Sequence, residues 1–217
     1  MKVSQAKENI LKKIRQALSE STPIPFPQSE GSSPLFFSPP AELDVLFAEQ
    51  FSKLLGKFIF CLNTQELREQ LGSLVSSREW LNVYCVETKL KSLLEQLQVP
   101  GISANDLAHC DASVTSCEFL VARTGSIVMS AGQESGRTVS VYAPVHICIA
   151  YTSQLVYDVK DGLQLLKDKY KDRLPSMITF ATGPSRTADI EKTLVVGVHG
   201  PKEVYLFLVD DGNHAPR

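Results

Sequence analysis

The sequence predicts an α/β fold: one domain over residues 41–217 with a mostly parallel central sheet flanked by helices, preceded by an N-terminal helix and a Pro-rich arm over 1–40. Three observations carry this. From residue 41, segments of helical and strand period alternate, the pattern of parallel βαβ units. From Thr124 to Tyr157 the only charges are Glu134 and Arg137, where the chain average of 21% predicts about seven, so this stretch belongs to a sheet buried on both faces. The 217 residues, 43% hydrophobic, suit one large core better than two.

Residues 4–20 read as an amphipathic helix. Ala6, Ile10, Ile14, Ala17 and Leu18 share one face, with Lys7, Glu8, Lys12, Lys13 and Arg15 opposite. Such a helix docks on its own domain or on a second subunit. Residues 21–40 hold six of the 12 prolines, which denies them helix and ladder alike. Phe26, Phe36 and Phe37 suggest that this arm is pinned to the core. A helix over 41–56, a strand at 58–62, a helix at 64–77, a strand at 82–87 and a helix at 89–98 follow. Ser126–Ser130, Val139–Tyr142 and His146–Tyr151 are strand-like. A helix over 158–172 and strands at 176–181 and 204–209 complete the order.

Composition excludes several classes. Twenty-two basic against 24 acidic residues leave a charge of −2, without the basic excess of a nucleic-acid binder. No apolar run approaches the ~20 residues of a membrane span. The segment Met1–Glu8 lacks the apolar core of a signal peptide, so a cytoplasmic protein is expected. Cysteines stand at 61, 85, 110, 117 and 148 with no CxxC pair, so neither a metal site nor an iron–sulfur centre is expected on this chain. Cys61 and Cys85 read as small core residues of strands.

The strongest local signal is Thr182–Glu191 after a buried strand, since open α/β sheets bind ligands beyond the carboxyl ends of their strands. Gly183 permits close backbone approach, and Ser185 or Thr187 can cap a short helix. Free N–H groups there, with the Arg186 guanidinium, would seat a phosphate or carboxylate. Asp189 and Glu191 are carboxylates that could act as base or nucleophile. A capped surface turn is the alternative reading. Arg123-Thr124-Gly125-Ser126 is a Gly turn entering a strand, and Gly132–Arg137 reads as a strand-to-strand turn carrying the one cation of the charge-poor stretch. His146 opens an apolar strand, and His199 lies between glycines in Gly197-Val198-His199-Gly200-Pro201. Either can be structural; His199 is the better functional candidate. No GxGxxG, P-loop or HExxH pattern occurs.

The run Thr182-Gly183-Pro184-Ser185-Arg186-Thr187-Ala188-Asp189-Ile190-Glu191, with Gly197–Pro201 and Val204–Val209, closely resembles the LUD-domain family of the LutC/YkgG type. Ala122–Val128, Arg137, Pro144–Ile147 and the helix carrying Ile10, Ile14, Arg15 and Leu18 resemble it too. The likeness is strong over about 110–210 and one of pattern only over 21–105. It implies a NagB/RpiA/CoA-transferase-like fold. It also implies a role in oxidising L-lactate to pyruvate beside partner subunits that carry the iron–sulfur clusters. Larger relatives append ferredoxin-like segments; with the sequence ending at Arg217, none is expected here. The positions carried over for binding an anionic small molecule are Thr124, Gly125, Arg137, His146, Gly183, Ser185, Arg186 and Thr187; the catalytic candidates are Asp189, Glu191 and His199. The alternatives are a stand-alone sugar-phosphate isomerase or CoA-transferase-like enzyme, and a non-catalytic ligand-binding module. A homo-oligomer is compatible with all of them.

Overall fold

Asn63 stops the first strand of the main domain and starts a helix, its side chain accepting the Glu66 N–H at 3.0 Å. Leu67, Leu71 and Val75 then recur at helical spacing and are fully buried. Pairing of period and cap of this kind organises the molecule. A computed structural model describes residues 5–19, 42–190 and 193–212, with backbone alone at Leu18, Thr187–Ile190 and Thr193–Val195. Contacts divide the chain into Met1–Ser38 and Pro39–Arg217. In the first unit the described element is helix α1 (Gln5–Ser19); the Pro-rich arm and its three phenylalanines lie outside the described residues.

The second unit runs α2 (Leu43–Lys53), β1 (Lys57–Cys61), α3 (Thr64–Ser77), β2 (Val83–Tyr84), α4 (Thr88–Gln96), β3 (Ile102–Ser103) and β4 (Ala112–Thr115). It continues with β5 (Phe119–Val121), β6 (Ser126–Ser130), α5 (Val139–Tyr142), β7 (Val145–Tyr151), a 3-10 turn at Thr152–Gln154 and β8 (Leu155–Val156). Then come α6 (Val159–Tyr170), β9 (Ile178–Ala181), β10 (Arg186–Ile190), β11 (Thr193–Val196) and β12 (Glu203–Val209). Six strands form a wholly parallel sheet in the order β1-β12-β7-β4-β2-β3. The predicted α/β architecture is therefore correct. Among the described residues, no helix is long and apolar enough to cross a membrane.

The period of two along β7 and β12 decides where the core sits. Ile147, Ile149, Phe207 and Val209 join Leu67, Leu71 and Leu94 on the face covered by α3 and α4. Cys148, Ala150, Leu206 and Leu208 face the other way, onto Phe47, Phe51, Leu120, Ile127 and Met129. Both faces are dry, which is why β7 carries no charge and β12 only Glu203, at its half-buried first position. Burying each such large side chain contributes about 1.5–3 kcal/mol before entropy is counted.

The structure adds what the sequence reading lacked. The second face is covered by another sheet, β8-β5-β6-β9, in which β6 pairs antiparallel with both β5 and β9. Val139–Tyr142 is not a strand. Despite two valines it forms one helical turn, with the Tyr142 N–H on the Thr138 carbonyl at 2.9 Å and the Ser113 hydroxyl on the Val139 carbonyl at 2.8 Å. Gly132–Arg137 therefore links a strand to a helix.

Candidate functional site

Gly183 holds φ +93° with its Cα so close to α2 that a Cβ would lie 2.4 Å from the Leu54 carbonyl oxygen; no other residue type fits. The turn it makes carries the chain from β9 to the amino ends of β7 and β12. There the Ser185 N–H donates to Pro201 O and the Gly197 N–H to Ser185 O, each at 2.9 Å. These bonds bring the two Gly-containing loops together. A cleft of about 370 Å³ lies between them, with Thr182, Gly183, Ser185, Arg186, His146 and His199 in its wall and Met129, Phe180 and Val204 as its apolar part. Among the described residues no Asp or Glu lines it, whereas Arg186 and His199 are exposed at it. Its polarity suits an anion.

His146 is the buried member. Its Nε2 is 2.9 Å from the Thr115 hydroxyl, while Nδ1 has no partner among the described residues. Burial pushes its pKa down to about 4, so at neutral pH the ring is uncharged. It can give a ligand one hydrogen bond but no charge.

Two expectations are corrected here. Residues 182–190 do not start a helix: β10 and β11 pair antiparallel, with Arg186 opposite Val196 and Thr187 opposite Val195. The Ser185 N–H, expected to be free for an anion, donates to Pro201 O instead. The cleft also sits at the amino ends of β7 and β12, not beyond carboxyl ends of the parallel sheet. The reason is that β9, which leads into it, belongs to the antiparallel second sheet.

The remaining predicted residues separate. The Thr124 hydroxyl meets Ser126 Oγ at 2.7 Å, and Ser126 meets the Thr182 hydroxyl at 3.0 Å, so Thr124 touches the cleft wall through a relay. Gly125, at φ +61°, turns β5 into β6 where a Cβ would lie 2.5 Å from the Phe51 nitrogen. Arg137 donates to the Ser176 hydroxyl. Both are outside the cleft lining. Thr187 and Asp189 lie on β10, and Glu191 falls outside the described residues.

A second cavity, about 520 Å³, opens at the carboxyl ends of β2, β4 and β7. Adjacent strands β2 and β4 send their connections opposite ways, to β3 and towards β7, so this is the topological switch point of the sheet. Glu87, Ser116, Gln133 and Glu134 meet here. The Glu87 carboxylate accepts the Ser116 N–H (3.1 Å) and hydroxyl, and Gln133 donates to that hydroxyl at 3.0 Å. Glu134 accepts the N–H and hydroxyl of Thr88, at 2.6 and 2.8 Å. This group is not apparent in the sequence. Its one available signal was Glu134, a lone carboxylate in an otherwise apolar stretch.

Among the described residues no three His, Cys, Asp or Glu side chains gather to hold a metal, and all five cysteines are free and buried.

The parallel sheet, the cleft at its amino end and the cavity at its switch point define an α/β domain with two candidate sites. The chain belongs to the LUD domain family, whose model matches residues 45–209. Proteins named lactate utilization protein C are similar to it. The one of Bacillus licheniformis is 38% identical over 105 residues, 48% of this chain and 44% of that protein. The one of Halalkalibacterium halodurans is 39% identical over 105 residues, 48% and 46% of the two chains. The one of Deinococcus radiodurans is 32% identical over 111 residues, 51% of each. The chain thus spans about half the length of the curated relatives it matches. A crystal structure of a DUF162 family protein from Deinococcus radiodurans shares the fold, with a TM-score of 0.59, 19% identity, and coverage of 78% of this chain and 97% of that one.

Proposed function

We propose that this chain is the cluster-free component of an L-lactate oxidation system in the cytoplasm, binding a small organic anion in the cleft at the amino ends of β7 and β12. One observation carries the ligand class: the cleft combines Arg186 with two imidazoles and, among the described residues, no carboxylate. The metabolic role is supported by the names of the relatives. Arg186 pairs with the carboxylate of the acid, Thr182 and Ser185 offer hydroxyls, and the unpaired nitrogen of His146 meets a second oxygen. Phe180, Met129 and Val204 pack against the short carbon chain. Conversion of L-lactate to pyruvate releases two protons and two electrons. The electrons pass to iron–sulfur clusters on partner subunits, a division of labour that suits a chain whose five thiols are all free and buried.

L-Lactate at 100 times its dissociation constant should raise the stability of the purified chain by about 2.7 kcal/mol, and Arg186→Ala should remove that gain. In the host, deletion of the chain should abolish growth on L-lactate, with rescue by the wild type and not by Arg186→Ala. Growth on lactate that survives the deletion overturns the reading.

A further inference from the structure

Glu87 is a carboxylate only 8% exposed at the wall of the switch-point cavity. Buried charges are ordinarily paired, because removing a carboxylate from water without a counter-charge is expensive. Yet Glu87 forms no ion pair among the described residues; the N–H and hydroxyl of Ser116 donate to it. Glu134 lines the same cavity and is held beside the start of α4 by Thr88, with Oε1 left over. Among the described residues Lys89 is the one cationic side chain in the lining, and it is exposed. Leu90, Leu93 and Ile149 supply the apolar part of the lining. The cavity lacks what its buried charge calls for, and its position at a switch point is where α/β sheets place ligands.

We propose that this cavity is a second small-molecule site, selective for an organic cation. A primary amine is held by Glu87 and Glu134, and its apolar body lies on Leu90, Leu93 and Ile149. Charge separates it from the first cleft: that one repels amines and attracts acids, and this one does the reverse.

Three probes of similar shape test this by amide NMR titration of the full chain: phenethylamine, phenethyl alcohol and phenylacetate. Phenethylamine should shift the Ser116, Gln133 and Glu134 amides saturably. Phenethyl alcohol should bind at least tenfold more weakly, and phenylacetate should not shift these amides. Glu87→Gln keeps the hydrogen bonds of Ser116 but removes the charge, and should weaken phenethylamine at least tenfold. Arg186→Ala should leave it unchanged, so failure here and failure of the lactate reading are told apart. Equal binding of the three probes, amine-induced shifts confined to residues outside the cavity, or an unchanged affinity in Glu87→Gln would each overturn the proposal. Should Glu87→Gln not fold, the exposed Glu134→Gln is read instead: a tenfold loss supports the site and an unchanged affinity overturns it.

Discussion

His146 shows how one residue can be legible in type and illegible in environment. Its place at the head of an apolar strand is plain in the sequence; the Thr115 hydroxyl on Nε2 and the unpaired Nδ1 depend on β4 lying beside β7. Its burial makes a pH prediction with a definite sign. Below the ordinary imidazole pKa of 6.5 the unfolded chain takes up a proton that the folded chain refuses until about pH 4. The unfolded state binds more protons across that window, so stability falls as pH drops from 6.5 to 4, by at most about 3 kcal/mol from this group. Urea titrations of wild type and His146→Asn should therefore converge on acidification, the variant losing less stability over that range. Parallel curves would show that the ring titrates normally. Gly125 is a different lesson. The family turn suggests a ligand contact, whereas its φ of +61° and its 2.5 Å approach to the Phe51 nitrogen make it structural. Gly125→Ala should destabilise the fold by about 2 kcal/mol or more in urea unfolding, whatever ligand is present.

Elements were readable in proportion to their length and caps. The helix at 64–77 and the strand at 126–130 match α3 and β6 residue for residue, because each has a clear period and a clear end. Val139–Tyr142 misled because valine favours strands, while a four-residue segment takes its conformation from its surroundings. Strands β2, β3 and β8 have two residues each, too few to show a period. Helix α6 tests the role of caps. Asp158, 3% exposed, accepts the Lys160 N–H at 3.3 Å and pairs with Arg123 Nε at 2.6 Å, while Asp161 returns a bond to the Asp158 N–H. Burial raises the Asp158 pKa, but the Lys160 N–H and the Arg123 guanidinium outweigh it and hold the carboxyl below its ordinary value. Asp158→Ala should cost about 2 kcal/mol in urea unfolding, and Asp158→Asn, which keeps an acceptor at the cap, about half as much. Equal losses would mean that the charge pair, not the cap, holds the start of this helix.

Strand order was hidden because it rests on pairings between distant residues, such as Ile127 with Ala181 and His146 with Val204. The residues of the amino-edge cleft could be collected from two Gly-rich loops, but which end of the sheet they occupy could not. The switch-point group was invisible for the same reason: Glu87, Ser116 and Glu134 follow β2, β4 and β6, strands of two different sheets that come together only in the folded domain. The two clefts lie at opposite ends of β7, since His146 opens the strand and Tyr151 closes it. Five residues at about 3.3 Å each separate them by roughly 16 Å. Thr115 and Ser116, consecutive on the chain, touch one member of each pair: Thr115 contacts His146, and Ser116 contacts Glu87. The connection is rigid rather than bistable, being paired strand packed on both faces, and sites this far apart without a shared partner couple by less than about 0.5 kcal/mol. The acid and the amine should accordingly bind independently. In titrations of the full chain, saturating phenethylamine should change the L-lactate dissociation constant by less than about twofold, and Glu87→Gln should do the same. The double variant Glu87→Gln/Arg186→Ala should lose both ligands by the factors that each single variant shows. A change of tenfold in either direction would instead mean that β4 and β7 transmit between the ends of the sheet, with Thr115 and Ser116 as the first residues to substitute in tracing it.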